Sequence, residues 1–306
     1  MSIKGINLQG CVRRALHKGY SYTRMIERCS AVVVDLNADS VRIGGTPMEG
    51  ARFNAGRGGY GRTGERVFDP YNYPIAMLDV AQEAGLEDVF ISLHSIPGNG
   101  AITEADIDNI KQLCDSRSIT SPIFALDNEQ YTGKRTREQT FSYELMGQMA
   151  GWLEDRGLAY VWPLKYAHPR EEANVTQRRG YHTPAMVSEM NKRPSAASME
   201  VHLYCPKGED AEMFLLDALA ATKNSISQLE NRGNFIVGEW SGKNQETFSD
   251  QELESVIDTF LGVFGRANIR HYYQLLGSDN PGDYRHGLWN FETDSPNAGY
   301  QVFKDA

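Results

Sequence analysis

Eight short apolar or β-branched runs recur along this chain at intervals of roughly 30 to 50 residues, with longer segments of helical period between them. They are Gly5–Leu8, Ser40–Ile43, Asp88–Leu93, Ile123–Leu126, Ala159–Trp162, Met199–Leu203, Phe235–Val237 and Ile269–Tyr273. Alternation of this kind belongs to repeated β-α units around a parallel sheet. Eight units in 306 residues match the size of a closed (β/α)8 barrel. A doubly wound open sheet would alternate in the same way, so the polar residues must separate the two. Barrel chemistry sits at the carboxyl ends of the strands, and five of these runs end in Arg42, His94, Asn128-Glu129, His202/Tyr204 and Glu239. The expectation is a single (β/α)8 domain spanning residues 1–306.

The intervening segments support it. Phe141–Arg156, Asp210–Leu229 and Asp250–Phe264 read as amphipathic helices, another helix follows Asp69-Pro-Tyr, and Thr103…Asp106 has the spacing of a capping box. The turn-rich stretch from Gly44 to Gly64 reads as one long loop inside the domain. No linker or low-complexity tract divides the chain.

Composition narrows the function. A formal charge of -9 and a pI near 5.3 disfavour a nucleic-acid partner, and no apolar run is long enough to span a bilayer. Cys11, Cys29, Cys114 and Cys205 are scattered without a Cys-x-x-Cys pair, which argues for buried thiols rather than a disulfide framework or a zinc knuckle. The N-terminus lacks the features of a signal peptide, so the expected setting is cytoplasmic, or that of a phage-borne enzyme released on lysis.

Two carboxylates stand out. Phe124-Ala-Leu-Asp-Asn-Glu delivers Asp127, Asn128 and Glu129 at the end of the fourth run, and Ile236-Val-Gly-Glu-Trp delivers Glu239 beside Trp240 at the end of the seventh. Each alone could be a strand ending in a polar turn. Together they fit glycoside hydrolysis, in which two carboxyl groups flank the bond, about 5–5.5 Å apart when configuration is retained. Closure of a barrel brings the ends of strands four and seven to one rim. An aromatic beside the acid would offer a sugar a stacking face.

The motifs Gly5-Ile-Asn-Leu, Val41-Arg-Ile, Ser92-Leu-His-Ser-Ile-Pro-Gly, Asp127-Asn-Glu, Val201-His-Leu-Tyr and Gly238-Glu-Trp, in that order, resemble glycoside hydrolase family 5 and its relatives in clan A, retaining β-glycanases of the cellulase kind. The resemblance implies Glu129 as acid/base and Glu239 as nucleophile. It also implies that Asn128 binds the sugar 2-hydroxyl, Arg42 keeps Glu239 ionised, His94 and His202 line the cleavage subsite, and Tyr204 orients the nucleophile. The implied substrate is a polysaccharide or oligosaccharide, with no cofactor and no metal, and an open barrel mouth favours internal cleavage. The sequence departs from the family at the eighth strand, where Arg270-His-Tyr-Tyr-Gln-Leu-Leu has no tryptophan. Tyr273, Gln274 or a folded-back Trp289 would have to serve there, with Trp162 as a further platform.

Arg52, Arg57, Arg62 and Arg66 in the second loop, with Lys165, Arg170, Arg178 and Arg179 after the fifth strand, are cations in an acidic protein. They are either a solvated surface or a cradle for an acidic polysaccharide, with Tyr60, Phe68 and Tyr71 to stack on it. Two rival functions stay open: a carbohydrate-binding barrel without turnover, and a metal-dependent barrel hydrolase built on His94, His168, His202 and Asp127.

Overall fold

The computed structural model describes residues 2–47, 53–54, 68–69, 73–93, 102–127, 143–163, 183–193, 197–225, 232–242, 248–267, 269, 271–275, 287–291 and 293–306. Eight parallel strands close into a barrel: β1 (Ile3–Asn7), β2 (Ser40–Gly44), β3 (Asp88–Ser92), β4 (Ser121–Ala125), β5 (Ala159–Pro163), β6 (Ala197–Cys205), β7 (Arg232–Gly242) and β8 (His271–Leu275). Neighbours around the barrel are neighbours in sequence, and β8 pairs back onto β1. The fold is therefore the (β/α)8 barrel, with a strand at each of the eight expected positions.

The described helices are α1 (Gln9–His17), α2 (Tyr22–Asp35), α3 (Tyr73–Glu83), α4 (Glu104–Asp115), α5 (Tyr143–Asp155), α6 (Thr183–Met190), α7 (Ala211–Ser225), α8 (Asp250–Ala267) and α9 (Tyr300–Asp305). Thr103 and Asp106 form the reciprocal capping box that opens α4. Five helices end in the same way. Gly19, Asn37, Gly85, Ser118 and Gly157 take left-handed φ, and the following residue donates to a carbonyl five positions back, as Leu86 does to Ala81. After α2, α3, α4 and α5 this docks Ala38, Leu86, Ile119 and Leu158 against the core one or two residues before the next strand begins. The stretch expected as a plain loop after β2 holds a short antiparallel ladder, Phe53–Asn54 against Phe68–Asp69.

Alternation along each strand divides the core in two. Phe90, Ala125, Val161, Ile236 and Tyr273 fill the barrel interior, while Ile6, Val41, Ile43, Val89, Ile91, Phe124, Leu126, Val201, Leu203 and Val237 join the larger cluster that packs against the helices. Gly5 leaves the space that Tyr273 occupies, since a Cβ there would lie 2.2 Å from the Tyr273 ring. The ring stacks on Phe90 with centroids 5.2 Å apart. At the other end of β1, Lys4 points outward. Its ammonium donates to the carbonyls of Phe303 (3.1 Å) and Lys304 (3.2 Å), tying the C-terminal helix to the first strand.

Candidate active site

Polar residues enter the barrel above the apolar layer. On β6 the inward positions are Glu200, His202 and Tyr204, alternating with Val201 and Leu203, which face the helices. Strict alternation on β7, continued from the inward Ile236, would send Glu239 outward and Trp240 inward. The register shows the opposite. Val201 pairs with Val237 but His202 pairs with Glu239, and on the other flank Tyr272 pairs with Val237 while Gln274 pairs with Trp240. Gly238 is the extra residue of a β-bulge, and it reverses the side chains beyond it. Only glycine fits there, because a Cβ would stand 1.8 Å from Glu200 Oε1.

The bulge aims Glu239 at a cluster built by four strands. Its Oε1 accepts from Arg42 Nη1 (2.7 Å) on β2 and from Asn7 Nδ2 (3.1 Å) on β1. Its Oε2 accepts from the Tyr204 hydroxyl and lies 3.5 Å from His202 Nδ1. The remaining edge of the Arg42 guanidinium donates to Glu200 Oε1 from Nε (3.1 Å) and Nη2 (3.0 Å), and its plane approaches the Phe90 ring, 5.8 Å from the centroid. Relative exposure is 0% for Arg42, 1% for Glu200, 6% for His202 and 8% for Glu239. Burial alone would lower the Arg42 pKa. The charges of Glu200 and Glu239, with Tyr204, outweigh that burial and hold the guanidinium above its ordinary value.

His202 Nε2 lies 2.9 Å from Glu200 Oε1 and 3.4 Å from Arg42 Nη2. A guanidinium only donates and a carboxylate only accepts, so the network assigns the Nε2 proton to the bond with Glu200 and leaves Nδ1 facing Glu239. Chemically, the arrangement fixes one carboxylate in place at the rim of a barrel, with donors on both of its oxygens. Among the described residues, no group of three or more His, Cys, Asp or Glu is placed to hold a metal ion.

Of the expected site residues, Arg42, His202, Tyr204 and Glu239 come together. Glu129, Asn128 and His94 lie outside the described residues, as do all eight cations of the two loops. Asp127, just before them, is buried, and its charge adds to the burial that pushes the Tyr143 hydroxyl up.

The expected aromatic platforms are corrected. Trp240 is 0% exposed and packs on Phe260, Phe264, Tyr272 and Phe303 beneath α8 and α9, because the bulge turned it outward. Trp162, next to the inward Val161, is buried in the same helix-side cluster. Trp289 does not fold back over the barrel: it lies under Arg28 of α2 and against Tyr300, with its N–H toward Asp294. Tyr273 is inside the barrel but buried in the apolar layer, its hydroxyl 3.1 Å from Ser40 Oγ. Gln274, in register with the outward Ile6 and Trp240, faces the helices.

Two residues were missed. Asn7 was visible only as part of a motif. Glu200 was announced by the period-two polar series Glu200, His202, Tyr204 in an otherwise apolar strand, the mark of a polar inner face.

No protein-family model matches the chain. No curated protein matches it in sequence. Its backbone does match solved structures. A glucosidase from Croceicoccus marinus aligns with TM-score 0.65 and 11% identity over 99% of this chain and 65% of that one, so this chain spans about two thirds of that enzyme's length. The cellulase of a cellulase–inhibitor complex aligns with TM-score 0.60 and 13% identity over 100% and 92% of the two chains. A GH128 endo-β-1,3-glucanase from Amycolatopsis mediterranei, in complex with laminarihexaose, aligns with TM-score 0.55 and 11% identity over the whole of both. At these identities the likeness establishes the common barrel.

Proposed function

We propose that this chain is a retaining glycoside hydrolase that cleaves β-glycosidic bonds inside a polysaccharide, with Glu239 as nucleophile and Glu129 as acid/base. The observation that carries it is the setting of Glu239: a buried carboxylate at the carboxyl end of a barrel strand, gripped on one oxygen by Arg42 and Asn7 and on the other by Tyr204. A carboxylate so held stays ionised and cannot turn away, as attack on an anomeric carbon demands. The barrel neighbours named above act on glycans, which is consistent with that chemistry.

In the first step a Glu239 oxygen bonds to the anomeric carbon as the glycosidic carbon–oxygen bond breaks, and Glu129 gives its proton to the departing oxygen. In the second, water attacks the same carbon, Glu129 takes the water's proton, and the Glu239 carboxylate leaves. His202 and Asn128 border the sugar at the point of cleavage. Trp162, Trp240 and Trp289 are turned into packing, and the Arg-rich stretches after the second and fifth strands bring cations to the chain. An acidic or substituted polysaccharide fits those cations.

The test is a panel of neutral and acidic polysaccharides scored for new reducing ends, with product anomers followed by NMR. Retention of configuration is expected, together with loss of turnover by several orders of magnitude in Glu239→Gln. Glu239→Gln with most of the wild-type rate, or inverted product, overturns the assignment. A Michaelis constant that does not change between low and high salt removes the acidic substrate. Sugar binding without any release of reducing ends identifies a carbohydrate-binding barrel instead.

A further inference from the structure

The reading of the site uses Arg42 as the partner of Glu239, but most of the guanidinium is spent elsewhere. Nε and Nη2 both go to Glu200, which also receives the proton of His202, while Glu239 takes Nη1 alone. Glu200 Oε2 is buried with no hydrogen-bond partner among the described residues, so the side chain is held entirely through Oε1. Burying an acid in this way is costly, and a barrel interior tolerates it only where the charge has a task. Gly238 yields the space for it.

We propose that Glu200 is a positioning residue: the permanent counter-ion of Arg42, which keeps Glu239 reactive as a nucleophile and fixes the proton of His202 on Nε2. This deepens the hydrolase reading and rests on it. The argument follows the charge of Glu239 through the reaction. When its oxygen bonds to the anomeric carbon, with the proton from Glu129 going to the departing sugar, the carboxylate becomes a neutral ester. Arg42 then faces no charge from Glu239, and Glu200 remains as the buried acid that balances the guanidinium in the intermediate. In the free enzyme, losing the Glu200 charge would strengthen the pull of Arg42 on Glu239, stabilising the carboxylate and making it a poorer nucleophile. Glu200 divides the guanidinium between two acids, so the interaction with Glu239 changes less between the two states.

Among the described residues, the groups facing this cluster are Asn7 from β1, Arg42 from β2, Phe90 from β3, His202 and Tyr204 from β6, Glu239 from β7 and Tyr273 from β8. Of these described groups Glu200 and Glu239 are the acids and Arg42 is the permanent cation, and the proposed acid/base Glu129 acts on the same bond as Glu239.

The test is Glu200→Gln, which keeps an oxygen acceptor and the shape but removes the charge. It is assayed in the full chain with a 2,4-dinitrophenyl β-glycoside of the sugar that the wild type cleaves. Rapid-quench kinetics are expected to show glycosylation slowed by about tenfold or more, with deglycosylation unchanged or faster, since Glu239 becomes a better leaving group. The acid limb of kcat/KM is expected to move down by about one pH unit, because Glu239 loses a like-charged neighbour. Glu200→Asp should recover part of both. Equal slowing of both steps with an unmoved pH profile overturns the inference and leaves Glu200 a packing residue. A readout free of turnover separates this from failure of the hydrolase reading. By nitrogen NMR, His202 should carry its proton on Nε2 in the wild type and titrate at lower pH in Glu200→Gln. An unchanged His202 titration rejects the pairing whether or not any glycan is cleaved.

Discussion

Replacing Gly238 with alanine tests the bulge and the ion cluster in one step. The new Cβ would lie 1.8 Å from Glu200 Oε1 and 2.6 Å from its Cδ. Glu200 must withdraw by about 1.6 Å to reach the 3.4 Å of ordinary contact, and its bonds from Arg42 at 3.0 and 3.1 Å and from His202 at 2.9 Å do not survive that displacement. Overpacking a core costs about 1–3 kcal/mol, and a buried ion pair that loses a partner costs about 3–5 kcal/mol. Glu200 retreats rather than vanishes, so about 4 kcal/mol is a fair sum. At about 2 °C per kcal/mol for a chain of this size, the melting temperature falls by roughly 8 °C. Gly265→Ala is the control: this exposed residue of α8 has open space around its Cβ position, and alanine there should stabilise by about 0.5–1 kcal/mol through helix propensity. Thermal melts by circular dichroism read both variants, and kcat/KM reads the first. Gly238→Ala with wild-type melting and wild-type activity would refute the packing of Glu200 on Gly238 and the argument built on it.

Three further outcomes are expected. Trp240→Phe should lower the melting temperature, because the indole fills the space among Phe260, Phe264, Tyr272 and Phe303, yet leave KM unchanged; a tenfold rise in KM would return Trp240 to the substrate. Lys4→Met should loosen the C-terminal helix by about 1 kcal/mol, seen as faster amide exchange over residues 302–305, and unaltered exchange would show that the Lys4 bonds do not hold it. In alkali, burial pushes the Cys114 thiol up to about 12 from an ordinary 9.0, so the folded state keeps a proton that the unfolded chain releases. Its contribution is fully present below pH 9 and is lost as the pH climbs toward 12, with Tyr272 and Tyr273, also raised by burial, adding to the fall above pH 10. Melts from pH 8 to 11 should show the decline, and Cys114→Ala should make it shallower from pH 9 upward; a profile that rises with pH would contradict the sign.

The sequence alone determined the architecture. Eight apolar runs at a steady interval, helices of clear period and polar residues at the strand ends leave few alternatives to a closed barrel, because strand and helix periods are local properties of the chain. It also exposed Arg42, His202, Tyr204 and Glu239, since polar residues in short core strands are costly and conspicuous. What it could not determine was which way each side chain faces once a strand departs from ideal pairing. Glu239 and Trp240 are adjacent in sequence and read as one sugar-binding pair, yet the extra residue at Gly238 sends the acid into the barrel and the indole into the helical layer. The position of a bulge depends on register with two neighbouring strands and on Glu200 occupying the space a side chain would need. Those strands are distant in sequence, so only the closed barrel decided which of the two residues faces the site.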